Sequence, residues 1–182
     1  MVTRESLFTR KLSASKFSIF YTPEYATELV VPYFKKYWKV WEPACGDGHI
    51  TRVLWKAKLD VVSSDIIGDP SVDFLNCDVP FGIDAIITNP PYNLKNQFLQ
   101  RCYEIGLPFA LLMPITALGS MARVQLYTKY GIQVLVPDKR INFIYADTET
   151  GKPTDKKACW FHTAWFCWKL LPKDLVMKEM IK

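Results

Sequence analysis

Hydrophobic positions along the chain switch repeatedly between two patterns. Short runs rich in apolar and β-branched residues predict strands at 38–41, 59–63, 83–88, 109–113 and 132–136, with one long or two paired strands in 159–170. Apolar residues at helical spacing predict helices at 24–34, 50–57, 96–105 and 123–130, and a short amphipathic helix from Lys173. Strands that alternate with helices over short loops predict an α/β fold with a doubly wound sheet.

The start of the first helix is marked by three consecutive residues. Thr22 is a favourable N-cap, and Pro23 suits the first helical position because its missing N–H is not needed there. Glu24 then lies near the positive end of the helix dipole. The sequence therefore predicts that the Thr22 side chain caps this helix.

Composition narrows the class of protein. With 49% hydrophobic residues, the 182-residue chain can build a core, and its length predicts a single domain, 1–182, because chains usually divide only above about 250–300 residues. No apolar run reaches the ~20 residues of a membrane span. Five cysteines without a CxxC pair and two histidines lack the paired spacing of structural zinc sites. We therefore expect a cytoplasmic protein that binds no metal.

Charge is distributed unevenly along the chain. Residues 1–39 hold seven lysines and arginines against three acids, residues 40–92 hold three against eight, and residues 93–182 hold thirteen against seven. An acidic middle between basic flanks indicates two ligands of opposite sign: a cationic one for the middle and a polyanion such as nucleic acid for the flanks.

A glycine turn at 42–48 (EPACGDG) joins a predicted strand to a predicted helix, where open α/β sheets bind ligands. Its glycines allow close approach to the backbone, but Glu42 and Asp47 would repel a pyrophosphate. Asp65 follows the next strand, where an acid can accept both ribose hydroxyls, and Asp78 ends another short segment and could accept from an adenine amine. These acids predict a site for a positively charged nucleoside, which S-adenosylmethionine (SAM) fits.

The most specific motif is Asn89-Pro90-Pro91-Tyr92 at the end of predicted strand 83–88. The prolines restrict the backbone, so the Asn89 side-chain oxygen and the Pro90 carbonyl become rigidly placed acceptors, while Tyr92 offers a ring for stacking. Two acceptors aimed at one planar NH2 group would free its lone pair and stabilise the charge that develops during methyl transfer. The motif predicts N-methylation of an amine or amide, with Asn89, Pro90 and Tyr92 as catalytic residues.

In order and spacing, these motifs resemble those of the SAM-dependent adenine-N6 DNA methyltransferases, particularly the compact type of phages and prophages. The resemblance covers roughly residues 17–170 and implies a Rossmann-like, seven-stranded methyltransferase sheet whose last strand is antiparallel. The chain has no room for the separate target-recognition domain of larger members. The resemblance also implies a set of SAM-binding residues: Tyr21, Thr22, Glu42, Ala44, Cys45, Gly46, Asp65, Ile66, Asp78 and Asn89.

Without a recognition domain, loops at 93–97, 119–123 and 147–157 would have to read the nucleic acid. Six basic residues are candidate phosphate contacts: Arg123, Lys139, Arg140, Lys152, Lys156 and Lys157. DNA is the expected partner, and methylation of RNA adenine is the first alternative. Methylation of a protein glutamine amide and a non-catalytic SAM-binding or nucleic-acid-binding subunit are two further alternatives. The oligomeric state is left open.

Overall fold

The computed structural model describes residues 19–146, 153–154 and 161–180. Within these ranges, the α-helices are α1 (Glu24–Glu28), α2 (His49–Lys56), α3 (Lys95–Ile105) and α4 (Met121–Tyr130). The strands are β1 (Ile19–Tyr21), β2 (Lys39–Glu42), β3 (Asp60–Ser63), β4 (Ala85–Thr88), β5 (Phe109–Pro114), β6 (Gln133–Pro137), β7 (Ile144–Ala146), β8 (Pro153–Thr154), β9 (Thr163–Trp168) and β10 (Leu175–Lys178). Among the helices of the described residues, none combines the length and the hydrophobicity that a membrane span requires.

Seven strands form the main sheet, in the order β10-β6-β9-β5-β4-β2-β3. Six of them run in one direction, and β9 runs antiparallel to both of its neighbours, β5 and β6. The prediction of a seven-stranded mixed sheet with an antiparallel strand near the end of the chain is confirmed. One further strand, β10, follows β9 and pairs in parallel with β6.

The hydrophobic core is centred on the adjacent strands β4 and β5. All four residues of β4 are buried, and Phe109 to Met113 in β5 are buried as well, because helices cover both faces of the sheet. Alternate residues face opposite sides: Ile87 packs in one cluster and Ile86 in the other. This rigid centre fixes the positions of the loops that follow each strand.

Prolines shorten the first helix. Pro23 has ψ 148° and occupies the N-cap, so α1 begins at Glu24, and no side chain caps it. Pro32 has no N–H and its ring would clash with the carbonyl four residues earlier, so α1 ends at Glu28 and a 3-10 turn follows at Val31–Tyr33. The prediction that Thr22 caps this helix was wrong, since its hydroxyl contacts another residue.

The short segment that Asp78 ends is a turn, in which the N–H groups of Asn76 and Cys77 donate to the Asp73 carbonyl. One predicted element changes type in the structure. The helix predicted from Lys173 is strand β10, because the short apolar run there completes a hydrogen-bonded ladder on β6.

The loops after β2, β3 and β4 meet at one edge of the sheet, because these strands are parallel. They contain the glycine turn, Asp65 and the Asn89-Pro90-Pro91-Tyr92 motif. Strand β1 belongs to a separate small sheet with β7 and β8, and it ends at Tyr21, directly before Thr22. Candidate residues that are far apart in sequence are thereby gathered at this edge.

Candidate functional site

The glycine turn between β2 and α2 is held by a short network of backbone bonds. Gly46 and Gly48 have φ of +48° and +73°, a conformation that favours glycine. The Cys45 N–H donates to the Ser64 carbonyl at 3.1 Å, which ties the turn to the loop after β3. A Cβ added at Gly46 would meet nothing within 4 Å, so the space above this backbone is open.

An open cleft of about 570 Å³ lies beside this turn, between the loops that follow β2 and β3. Of the ten lining residues, three are acidic and none is basic, so the cleft favours a cationic ligand. Its lining is Cys45, Gly46, Asp47, Ser63, Ser64, Asp65, Ile67, Gly68, Asp69 and Val72.

Asp65 joins the two loops through its carboxylate. Oδ2 accepts from the Gly46 N–H at 2.7 Å, and Oδ1 accepts from the Ile67 N–H at 2.9 Å. A carboxylate can accept about four hydrogen bonds, so each oxygen keeps a lone pair for a ligand. The carboxylate predicted to bind a ribose therefore both shapes the cleft and faces it.

Glu42, which the sequence placed against the ligand, instead lies behind the turn. Its side chain is 1% exposed and does not line the cleft. It accepts hydrogen bonds from the hydroxyl and the backbone N–H of Thr51 in the first turn of α2, and Thr51 Oγ1 lies 2.7 Å from Ser63 Oγ. Burial raises the pKa of Glu42 to about 8, so the negative charge attributed to it is largely absent at neutral pH. Strand β2 carries this side chain into the core, so Glu42 does not line the cleft as the sequence predicts.

Tyr21 covers the glycine turn from the side of the small sheet. Its hydroxyl bonds to the Asp47 carboxylate, which raises the pKa of Tyr21 to about 12. The Tyr21 ring stacks on His49 with centroids 4.6 Å apart. Burial and the nearby Arg52 lower the pKa of His49, which favours a neutral imidazole. His49 is the first residue of α2, and its stacking on Tyr21 could not be predicted from the sequence.

Asn89 lies directly after β4, at the centre of the same edge. Its Nδ2 donates to Thr22 Oγ1 at 3.2 Å. Its Oδ1 is buried and has no hydrogen-bond partner among the described residues. Thr88, one residue earlier, donates from Oγ1 to the Ala44 carbonyl at 3.4 Å, which joins this strand end to the glycine turn. An unpaired buried oxygen is costly in a folded protein, and a ligand with an N–H group would pair it.

The rest of the proline motif continues this surface. Pro90 is buried, Pro91 is exposed and Tyr92 is half-buried. The Tyr92 ring meets Phe161 edge to face at 5.8 Å. Lys95 Nζ donates to the Tyr92 carbonyl at 2.9 Å, and the pKa of Lys95 is lowered by burial and by the nearby Arg123. Lys95 therefore fixes the loop between the motif and α3, a role that the sequence did not indicate.

Arg123, predicted to contact phosphate, is instead part of the framework. It is 7% exposed, and its Nε donates to the Ala117 carbonyl at 2.6 Å. Its Nη1 donates to Asn96 Oδ1 at 2.7 Å and its Nη2 to the Gly119 carbonyl. A guanidinium with its donors committed to one loop and one helix is not available to a phosphate. The loop after β5 folds back over this side chain, which gives Arg123 a structural role in the described residues.

The remaining predicted residues fall into three groups. Ile66 is half-buried and Asp78 is exposed, and neither lines the cleft. Lys139 and Arg140 are exposed after β6, which runs in the same direction as β4 and therefore ends at the same edge. Lys152, Lys156 and Lys157 lie outside the described residues.

No protein-family model and no curated protein sequence matches the chain. Several solved structures, by contrast, superpose on the chain. A Listeria monocytogenes protein assigned to the class I S-adenosylmethionine-dependent methyltransferases superposes with a TM-score of 0.57 at 16% identity, over 97% of this chain and 72% of that one.

A modification subunit assigned to a type I restriction enzyme of Vibrio vulnificus gives a TM-score of 0.52 at 14% identity. That match covers 98% of this chain but spans only 50% of the subunit. At such identities the comparison speaks for the fold alone. The chain has the fold of the class I SAM-dependent methyltransferases.

Proposed function

We propose that the chain is an enzyme that uses SAM to methylate the exocyclic N6 amine of adenine in DNA. The observation that carries the proposal is the buried Oδ1 of Asn89, which has no partner in the part of the chain that the structure describes and lies at the same sheet edge as the glycine turn. An exocyclic amine has two N–H donors, and it is the kind of group that such an oxygen would bind.

The cleft beside the glycine turn suits SAM. Its acidic lining complements a sulfonium and an ammonium, and Asp65 keeps free lone pairs for a ribose. The open space above Gly46 lets a ligand approach the backbone. Bound there, SAM would supply an electrophilic methyl group on a positively charged sulfur.

Asn89 and Tyr92 have distinct parts in the reaction. Asn89 Oδ1 accepts from the adenine amine, and this bond strengthens as the nitrogen becomes positive, so it stabilises the transition state more than the ground state. An amide is not a base, so the proton that the amine finally loses passes to water. Tyr92 offers a ring to a base taken out of the duplex, which offsets part of the cost of unstacking it.

Nucleic acid is favoured as the substrate by the charge around the site. Lys139 and Arg140 are exposed at the sheet edge that carries Asn89, and residues 93–182 hold a net positive charge. DNA is favoured over RNA because a modification subunit of a restriction enzyme shares the fold.

The test is a transfer assay with methyl-labelled SAM and three substrates: duplex DNA, RNA and a protein mixture. Digestion to nucleosides followed by mass spectrometry identifies the modified group, and Asn89→Ala serves as the inactive control. We expect N6-methyladenine in DNA from the wild-type chain alone. Label only in RNA adenine would transfer the proposal to RNA, and label in cytosine or in protein would refute it.

A further inference from the structure

Thr22 lies where the structure needs a hydrogen-bond acceptor for Asn89, and this contact suggests a role beyond cofactor binding. The side chain is 3% exposed, and its Oγ1 accepts from Asn89 Nδ2 at 3.2 Å. Thr22 does not cap α1, because Pro23 occupies the N-cap and no side chain bonds there. The hydroxyl therefore binds Asn89 of the proline motif, 67 residues further along the chain, and does not cap the helix that follows it.

The orientation of the Asn89 amide decides what it can bind. A primary amide presents an oxygen acceptor on one side and an NH2 donor on the other. The NH2 of an adenine needs the oxygen, and an amide turned by 180° would set two donors against each other. With Nδ2 engaged by Thr22, the oxygen is the half that lies buried with no partner among residues 19–146, 153–154 and 161–180.

The position of Thr22 is itself well fixed. Tyr21 directly before it is held by the Asp47 carboxylate and by stacking on His49, and the Pro23 carbonyl directly after it accepts from the Ala26 N–H at 3.0 Å. The acceptor for Nδ2 is thus anchored both to the glycine turn and to α1. A rotation of the amide by 180° would move Nδ2 away from this oxygen and turn its two donors toward the amine that receives the methyl group.

We infer that Thr22 is a positioning residue: its hydroxyl holds the Asn89 amide so that Oδ1 faces the amine that receives the methyl group. The inference rests on the proposed function, because it concerns the same site. Thr22 acts here through Asn89, with no contact to the reacting atoms.

The kinetic test compares Thr22→Val, which keeps the shape but removes the hydroxyl, with Thr22→Ser, which keeps the hydroxyl. We expect Thr22→Val to lower kcat about tenfold, the size of one lost hydrogen bond, and to change the SAM dissociation constant less than about twofold. Thr22→Ser should restore most of the rate. A rise in the SAM dissociation constant equal to the loss in kcat would overturn the inference, since Thr22 would then act as a cofactor ligand. Thr22→Ala replaces the valine variant if melting temperatures show that valine does not fit.

Measuring Thr22→Val in an Asn89→Asp protein distinguishes an effect on the orientation of the Asn89 amide from a general effect on the site. Asn89→Asp has two equivalent oxygens, so it needs no partner to select one of them. In the Asn89→Asp protein we expect Thr22→Val to change kcat by less than about threefold. This effect is smaller than the effect in the wild type, as expected when two residues are coupled. An equal loss in both backgrounds would overturn the inference.

A readout without turnover distinguishes failure of this inference from failure of the proposed function. In an amide NMR spectrum of the ¹⁵N-labelled protein, the Asn89 NH2 pair is the one that disappears in Asn89→Asp. It should shift in Thr22→Val and stay nearly in place in Thr22→Ser. An unmoved pair in Thr22→Val refutes the contact, whether or not the protein methylates DNA. A shifted pair without DNA methylation would count against the proposed function alone.

Discussion

Glu42 makes the stability of this protein depend on pH in a direction unusual for a carboxyl group. The side chain is 1% exposed and accepts two hydrogen bonds from Thr51, and burial raises its pKa from 4.5 to about 8. Between these two values the folded chain binds a proton that the unfolded chain has lost. The contribution of Glu42 to stability is therefore full below about pH 4.5 and is lost as the pH rises toward 8.

The size of the effect follows from the two pKa values. A difference of one pH unit between folded and unfolded pKa corresponds to about 1.4 kcal/mol. Most of the interval from 4.5 to about 8 lies between pH 5 and pH 8, so the free energy of unfolding should lose on the order of 3 kcal/mol there through this one group. Such a loss is a large part of the stability of a domain of this size.

The substitution Glu42→Gln isolates this contribution. Glutamine keeps an oxygen that can accept from Thr51 but carries no charge at any pH. We expect urea unfolding of both proteins to show that the free energy of unfolding of the variant, relative to that of the wild type, rises by on the order of 3 kcal/mol from pH 5 to pH 8. Glu24→Gln is the matched control: Glu24 is exposed and pairs with Lys56, which lowers its pKa below this window. A difference between Glu42→Gln and wild type that stays constant across the range would refute the reasoning.

Three further substitutions test the other parts of the site. Arg123→Lys should lower the free energy of unfolding by about 2–4 kcal/mol in urea melts, because lysine cannot satisfy the same carbonyls. As a control, Lys139→Ala at an exposed position should change it by less than about 0.5 kcal/mol. Normal stability of Arg123→Lys together with weakened DNA binding would instead support a phosphate contact for Arg123. Asp65→Asn should raise the SAM dissociation constant about tenfold in calorimetry, since a charged acceptor is lost, and an unchanged constant would remove Asp65 from the cofactor site. Tyr92→Leu should raise KM for DNA by about 5- to 100-fold through loss of base stacking, and an unchanged KM would show that the ring does not meet the base.

Most of the fold could be predicted from the sequence, because its signals are local. The apolar runs of β4 and β5 are buried on both faces and lie within one or two residues of the predicted strands. The failures arise from one distant contact and from one proline whose local effect apolar spacing does not register. The segment from Lys173 pairs with β6 and becomes a strand, and Pro32 ends a helix that apolar spacing alone would extend.

The candidate site was predictable as a set of motifs but not as a set of contacts. Residue type and spacing indicated Asn89 as an acceptor and the glycine turn as a ligand loop. Charge counting could not tell that Glu42 and Arg123 are buried, because burial depends on how the chain packs around them. The bond between Thr22 and Asn89 joins residues 67 positions apart, and neither sequence pattern contains it.

We propose for Asn89 Oδ1 that it stabilises the transition state of methyl transfer to an amine. Its most direct test is the single-turnover rate of Asn89→Ala on DNA, measured together with its SAM dissociation constant. We expect a rate lowered about 100-fold or more, with SAM affinity changed less than about twofold. The control Asn76→Ala, at an exposed asparagine in the turn after Asp73, should keep the wild-type rate. A rate close to wild type, or a loss of SAM affinity equal to the loss of rate, would contradict it.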